Sequence, residues 1–430
     1  MALDNEEIRR RQLRRRQEAQ KRQKQQRQLR KRIIIGLIAA AVLLALCGMV
    51  TLLAKRIAKP EPSETTGSDT TQQVQTQPTE PETVIHLAFG GDLNVTDKVV
   101  ASGASIDGYD YTDVFMDIVP LFAGADAAAL NFEGNLCGAP YGTENTRAPQ
   151  ALIEALSAAG VDLIQMANSC TINNGLLGLS STLEGIRAAG MEPLGAYASS
   201  AEFEQSRGFS LRSIHGVKVA FVAFTKGVSS MGLPAGSEDC VNLLYKDYTS
   251  TYQEVDTEGI TEILDAIALE QPDVTIAMLH WGSEYNSQIS GTQEQIVKLM
   301  QKNGVDAIIG THSHYVQTVE YNEQTGALVA YSLGDFYGDA ERGGTNYSIV
   351  LNLEITKDNR TGQTKITEYD CTPIYTLTQE ADGVGTTRIL RIRDAIASYE
   401  ANSIDKVSEE TYNAMKSALR KIQSRVEPKE

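Results

Sequence analysis

In the stretch Val305-Asp306-Ala307-Ile308-Ile309-Gly310-Thr311-His312-Ser313-His314, a run of buried-strand character leads straight into a His-x-His pair. On extended chain, alternate side chains point to the same side, so His312 and His314 are expected to share one. Two imidazoles side by side at a strand end supply half of a divalent-metal site. The chain has only five histidines, so the pair uses a large share of a small stock. The competing reading is a surface turn that happens to hold two histidines. Ligand-type side chains at several other strand ends weigh against it.

At 430 residues the chain exceeds one small domain, and 42% hydrophobic residues suit a folded globular body. The charge is divided unevenly. Residues 1–32 hold thirteen Lys/Arg against four Asp/Glu, whereas 23 basic and 51 acidic residues follow position 59, a net of −28. Such a split points to two ends in different compartments. Between them, Ile33–Ala54 is 22 residues without a charge. A helix of that length rises ~33 Å, enough to cross a bilayer core. A signal peptide has a shorter apolar core and a small-residue cleavage site. The run therefore reads as a single-pass signal anchor. The positive-inside rule keeps the 1–32 tail in the cytoplasm and puts the rest outside the cell membrane. No aromatic residue interleaves the basic tail, so anionic headgroups rather than nucleic acid are its expected partner.

Residues 55–83 are rich in Thr, Gln, Pro and Glu and lack apolar periodicity, the signature of a disordered spacer. Outside the cell Cys137, Cys170, Cys240 and Cys371 could form disulfides, with three pairings open. From Val84 onward short strands alternate with helical segments, which predicts an α/β body; hairpins such as 210–225 predict mixed sheets. Helices are expected over 178–189, 257–270 and 292–303, and the charged 379–430 segment reads as terminal helices. His86 near a strand start and His215 at a hairpin tip read as structural.

The chemistry-bearing residues fall at or just past strand ends: Asp92, Asn131 and Glu133, Asn168, His280, and His312 with His314. Carboxylate, amide oxygen and imidazole together suit one or two cations such as Mn, Zn, Mg or Fe. Two metals could clamp a phosphate or generate hydroxide from water.

The motifs Gly91-Asp92, Asn131-Phe132-Glu133-Gly134, Ala167-Asn168 through Gly175, His280-Trp281-Gly282-Ser283-Glu284-Tyr285, Gly310-Thr311-His312-Ser313-His314 and Ser332-Leu333-Gly334-Asp335-Phe336 resemble, in this order, the CapA / poly-γ-glutamate capsule synthesis family. The domain of that family is similar to the calcineurin-like metallophosphatases, and the resemblance spans roughly Val84 to Thr376. It implies a four-layer α/β/β/α metallophosphatase-like sandwich over 84–378. It also implies a role in making or exporting an anionic surface polymer, with membrane subunits of a polymer synthase as partners. The metal ligands it implies are Asp92, Glu133, Ser169, His280, His312 and His314, with Asn131, Glu284 and Asp335 auxiliary and Asn168 and Cys170 at catalytic positions. Where the family reads Ala-Asn-Asn-His-x-x-Asp-x-Gly, this chain has Ala167-Asn168-Ser169-Cys170-Thr171-Ile172-Asn173-Asn174-Gly175. Ser169 stands in the place of a metal-ligand Asn, and Cys170 in the place of the His that assists the leaving group.

Three functions are compatible with these residues: a metal-binding accessory protein with impaired hydrolase chemistry, an active metal-dependent hydrolase on a phosphoester or polymer, and a metal-free binding module. The net −28 argues against loose attraction of an anionic polymer, whose approach its long-range field opposes.

Overall fold

The computed structural model describes residues 81–228, 232–381, 384–403 and 407–426. The basic tail, the apolar Ile33–Ala54 run and the linker up to residue 80 lie outside the described residues. Among the described residues no helix is long and apolar enough to cross a membrane.

The central strand β1 (Glu82–Asn94) alternates apolar and polar residues and then becomes buried from Leu87 onward. It pairs in parallel with β4 (Ala127–Glu133) and antiparallel with β14 (Tyr347–Asp358). Its tip also pairs in parallel with β13 (Asp335–Tyr337). The sheet extends through β5 (Leu163–Gln165) and β6 (Glu192–Leu194) on one side, and β15 (Thr364–Ala381) and β16 (Val384–Arg391) on the other. A small ribbon, β2 (Ala104–Ser105) with β3 (Gly108–Tyr109), stands apart. In the second sheet β12 (Leu328–Ala330), β10 (Ala307–Thr311), β9 (Val274–His280) and β8 (Val217–Thr225) are parallel. The antiparallel strands β11 (Val319–Tyr321) and β7 (Phe209–Ile214) close its edges.

The two-residue period of the strands decides the layering. Val219, Phe221, Ala223, Ile276, Met278 and Ile309 belong to a core continuous with the first sheet. Their neighbours Ala220, Val222, Phe224, Ala277, Leu279 and Ile308 face outward, onto the helices Thr257–Leu269 and Gly291–Lys302. The first helix buries Ile260, Ile263, Leu264 and Ile267, one stripe at helical spacing, and Asp256 caps its start. The second begins with a capping box between Ser290 and Gln293. The helices Gln150–Ala158 and Gly175–Ala188 cover the first sheet over β4 to β6. Helices, sheet, sheet and helices follow in order, and each fully buried Leu, Ile or Phe contributes ~1.5–3 kcal/mol.

Mixed sheets and the 210–225 hairpin are present, with His215 and Gly216 both left-handed at its turn (φ 50° and 88°). Three expectations need correction. His312 and His314 do not sit on extended chain: β10 ends at Thr311, and both histidines have left-handed φ (85° and 59°). The chain turns there because the Asp92 carboxylate captures the backbone N–H of His312 at 2.9 Å. Second, the 379–430 segment is not all helix: Val384–Arg391 is β16, zipped onto β15, and the helices Ile392–Glu400 and Glu409–Val426 follow. Third, β1 starts at Glu82, inside the expected spacer. Cys137, Cys170, Cys240 and Cys371 are all free thiols.

Candidate metal centre

The ends of β1, β4 and β9, the turns after β5 and β10, and the start of β13 converge on one buried spot. Asp92 stands at its middle, fully buried. Its Oδ1 accepts a hydrogen bond from Asn131 Nδ2 at 2.6 Å and lies 3.9 Å from His280 Nδ1. Its Oδ2 accepts from the His312 backbone and lies 3.9 Å from His314 Nδ1. Two triads therefore share Asp92: one with Glu133 and His280, the other with His314 and Asp335. Within each triad the candidate ligand atoms lie within 4.8 Å of one another.

Hydrogen bonds aim these side chains. Asp335 Oδ1 is 2.8 Å from His314 Nδ1 and accepts from Asn94 Nδ2 at 2.8 Å. Asn168 Nδ2 donates to Asn131 Oδ1 at 3.0 Å and to Phe132 O at 2.8 Å, which turns the Asn131 amide nitrogen toward Asp92. Ser169 Oγ sits 3.1 Å from His280 Nε2. Cys170 Sγ faces Glu133 Oε2 at 3.9 Å, and its backbone N–H donates to Asn168 Oδ1. His312 belongs to neither triad, yet its ring lies 4.4 Å from that of His280. Its Nδ1 is buried without a hydrogen-bond partner.

Burial pushes Asp92 above the usual carboxylate range and Glu133 well above it, the Asp92 charge adding to the latter. Burial also lifts Asp335 to about 6, against the opposing hydrogen bond and charge of His314. For His314 burial acts downward, but the hydrogen bond and charge of Asp335, with Glu133 and Asp92, carry it up to about 10. Burial, aided by neighbouring cations, holds His280 and His312 well below the usual imidazole range. The Cys170 thiol is pushed well up by burial and by the charges of Glu133 and Glu284. Near neutral pH the centre thus gathers three buried carboxyl groups, one imidazolium and two neutral imidazoles with lone pairs to offer.

Asp92, Glu133, His280, His312 and His314 come together, with Asn131 and Asp335 among them. Asn168 lies one layer behind, as the support of Asn131, and Ser169 and Cys170 stand at the edge. Glu284 is exposed and joins neither triad. Four neighbours have no role assigned by the sequence, although Tyr285 stands in one of its motifs. Asn94 follows Asp92 by two residues on β1, and that spacing was the available signal. Lys226 donates to Gly282 O at 2.7 Å and bears electrostatically on His280 and His312. Tyr285 stacks on His314 at 4.8 Å, and the Arg342 guanidinium lies over Tyr285 at 3.6 Å. No local pattern announces Arg342.

Residues 86–340 match the family described as bacterial capsule synthesis protein PGA_cap. The chain belongs to this family. It is 25% identical over 296 residues to the PGA biosynthesis protein CapA of Bacillus subtilis (strain 168), covering 67% of this chain and 72% of that protein. It is 26% identical over 266 residues to the capsule biosynthesis protein CapA of Bacillus anthracis, covering 59% of this chain and 60% of the relative. Among solved structures, a calcineurin-like phosphoesterase of Bacillus subtilis aligns at 16% identity and TM-score 0.42, over 80% of this chain and 99% of that one. A phosphatase of Mycoplasma pneumoniae aligns at 14% identity and TM-score 0.40, over 68% and 94%. Ser169 and Cys170 lie within the matched residues.

Proposed function

We propose that this PGA_cap protein is an outward-facing, single-pass membrane protein that serves the synthesis or export of capsule or a related anionic surface polymer. Its centre holds one or two divalent cations, and its hydrolytic chemistry is impaired. The expected partners are membrane subunits of a polymer synthase, and the polymer itself is the expected substrate. The domain is read as metallophosphatase-type.

One observation carries the metal reading: three buried carboxyl groups share a spot with fewer cations, the His314 imidazolium and, bearing on His280 and His312, Lys226. Buried carboxylates need a counter-charge, and oxygen and imidazole donors together suit Mn, Zn, Mg or Fe. The unpartnered His312 Nδ1 fits the same reading, because a buried polar atom without a partner costs free energy. Asp92, Glu133 and His280 would hold one ion, and Asp92, His314 and Asp335 the other. When bound, such an ion polarises a phosphoryl or acyl oxygen and makes hydroxide available near neutral pH. The chain's own part is to orient. Asn131 and Asn94 fix the carboxylates of Asp92 and Asp335, and Asn168 fixes Asn131.

A leaving oxygen must be protonated as its bond breaks, and a positioned acid contributes ~10²–10⁴-fold. Cys170 is a poor donor for that task, since its surroundings hold the thiol proton tightly. Ser169 is engaged with His280. Elemental analysis of the purified full-length chain is expected to find one or two divalent-metal equivalents, and Asp92→Asn to lose most of them. A chain that retains no metal after loading with Mn²⁺ or Zn²⁺ would overturn the reading. Turnover of a generic phosphodiester is expected to be weak, and Ser169→Asn with Cys170→His to raise metal occupancy or rate. The second reading is an active hydrolase with one ion only, held by Asp92, Glu133 and His280, which leaves the His314 imidazolium beside Asp335 as its proton donor. Wild-type turnover on the order of 1–10³ per second would decide for it.

A further inference from the structure

A three-layer stack builds outward from His314 with two members, Tyr285 and Arg342, that belong to neither triad. The Tyr285 ring lies on the His314 imidazole at 4.8 Å and 26°, and the Arg342 guanidinium lies on the other face of Tyr285 at 3.6 Å. Tyr285 and Arg342 are both fastened through their backbones. Tyr285 N–H donates to Ser313 O at 2.8 Å, and the loop beyond it is tied down by Gln317 Nε2, which donates to Asn286 O at 2.9 Å. Arg342 O accepts from both the N–H and the hydroxyl of buried Thr345. Gly344, with φ 104°, leaves room for the Tyr315 ring, since a Cβ there would come within 3.0 Å of it.

Stacking engages only the flat face of a guanidinium, so its N–H edges remain free to donate. Among the described residues no carboxylate lies within ion-pair distance of Arg342. The neighbouring acids do not reach it: Glu341 pairs with Lys98 at 3.0 Å, Asp339 accepts the Glu341 N–H, and Glu284, whose charge bears on Tyr285, makes no ion pair with Arg342. Among the described residues Arg147, Arg393, Arg420 and Arg425 also have no carboxylate within ion-pair distance, but of these arginines Arg342 alone lies over an aromatic ring, the one stacked on His314. Its planar fork matches a carboxylate or a phosphate, two oxygens at a time.

We infer that Arg342, held on Tyr285, is the subsite for a second negative group of the substrate, two stacking layers from His314 and tethered to the group that meets the centre. The inference rests on the proposed metal-centre reading and adds to it a substrate class: a molecule with at least two anionic groups separated by a spacer. It also answers the repulsion expected from the acidic body, because the attraction is local and oriented rather than long-range. Arg342 acts here as a specificity residue and touches no reacting atom.

The test is calorimetric binding to the full-length chain loaded with Mn²⁺. The probes are pentane bisphosphonate against pentylphosphonate, and pimelate against hexanoate. The wild type is expected to prefer at least one two-headed probe over its one-headed partner, and the preferred pair tells phosphate from carboxylate. Arg342→Met keeps the apolar cover over Tyr285 and is expected to weaken that probe about tenfold, the size of a lost charged hydrogen bond. The one-headed partner and the metal content should stay unchanged, and Arg342→Lys should recover only part of the loss. No two-headed preference in the wild type, or equal weakening of both members of a pair in Arg342→Met, overturns the inference. Metal content, read separately, decides the underlying reading.

Discussion

Gly91 matters to the centre although it carries no chemistry. A Cβ at this position would lie 1.9 Å from Gly334 O, the carbonyl that accepts the Asp92 N–H at 3.0 Å. The obstacle is backbone, which cannot rotate away as a side-chain end can. Gly91→Ala must therefore separate β1 from β13, and Asp92 from Asp335 with it. Overpacking of this kind costs typically ~1–3 kcal/mol, occasionally more. Urea unfolding is expected to show that loss, together with reduced metal content. Gly343→Ala, where an added Cβ meets nothing within 4 Å, should stay within about 0.5 kcal/mol of wild type. Equal midpoints for the two variants would dispose of the argument. The Gly-Gly-Asp stretch was visible in the sequence as a strand end. The close approach was not, because its other half lies more than two hundred residues away. The same limit hid Arg342 and Lys226, whereas Asp92, His280 and His312 were legible because each follows a run of strand-forming residues.

Among the elements, legibility followed period and burial. The helix Thr257–Leu269 and strand β9 were plain from their apolar spacing, and the hairpin of β7 and β8 from its His215-Gly216 tip. β16 was not, because Val384–Arg391 mixes Thr and Arg with only three large apolar residues. Its strand state comes from pairing with β15, a tertiary effect that outweighs local propensity. That pairing flanks a second consequence, at Cys371 on β15. Burial, with the charge of Asp370, pushes this thiol up to about 12. Only the thiolate reacts, so at pH 8 alkylation should run ~10³-fold slower than for a free cysteine of pKa ~8.5. The rate should climb about tenfold per pH unit from there toward pH 12, because each unit raises the thiolate fraction tenfold. Mass-spectrometric mapping of iodoacetamide labelling measures it, with the urea-unfolded chain as the fast reference. Rapid labelling of the folded chain at pH 8 would contradict the assigned environment. In the proposed location outside the cell a slow thiol would let the cysteine stay free, since disulfide exchange needs the same thiolate.

At the scale of the whole molecule, the two ends of the chain have opposite electrostatic characters. Residues 1–32 carry thirteen basic side chains against four acidic ones, and the chain after position 59 carries a net of −28. The 22 uncharged residues of Ile33–Ala54 stand between them. A single Lys, Arg or Asp at the centre of a span costs ~2.5–3.5 kcal/mol, and this run has none. Lys55 and Arg56 follow it, but the thirteen basic residues before it outnumber them, so the bias favours the proposed topology with the N-terminal side in the cytoplasm. The proposed topology would carry the acidic domain outward, away from the anionic inner leaflet expected to attract the tail. A protein tagged at its N-terminus, expressed in its host and exposed to protease on intact spheroplasts, should lose the domain and keep a short tagged fragment of tail and span. A cytoplasmic marker must survive the same treatment. A domain that stays protected until the membrane is dissolved would place the metal centre inside the cell. Surface-polymer chemistry at that centre would then be excluded whatever the metal content.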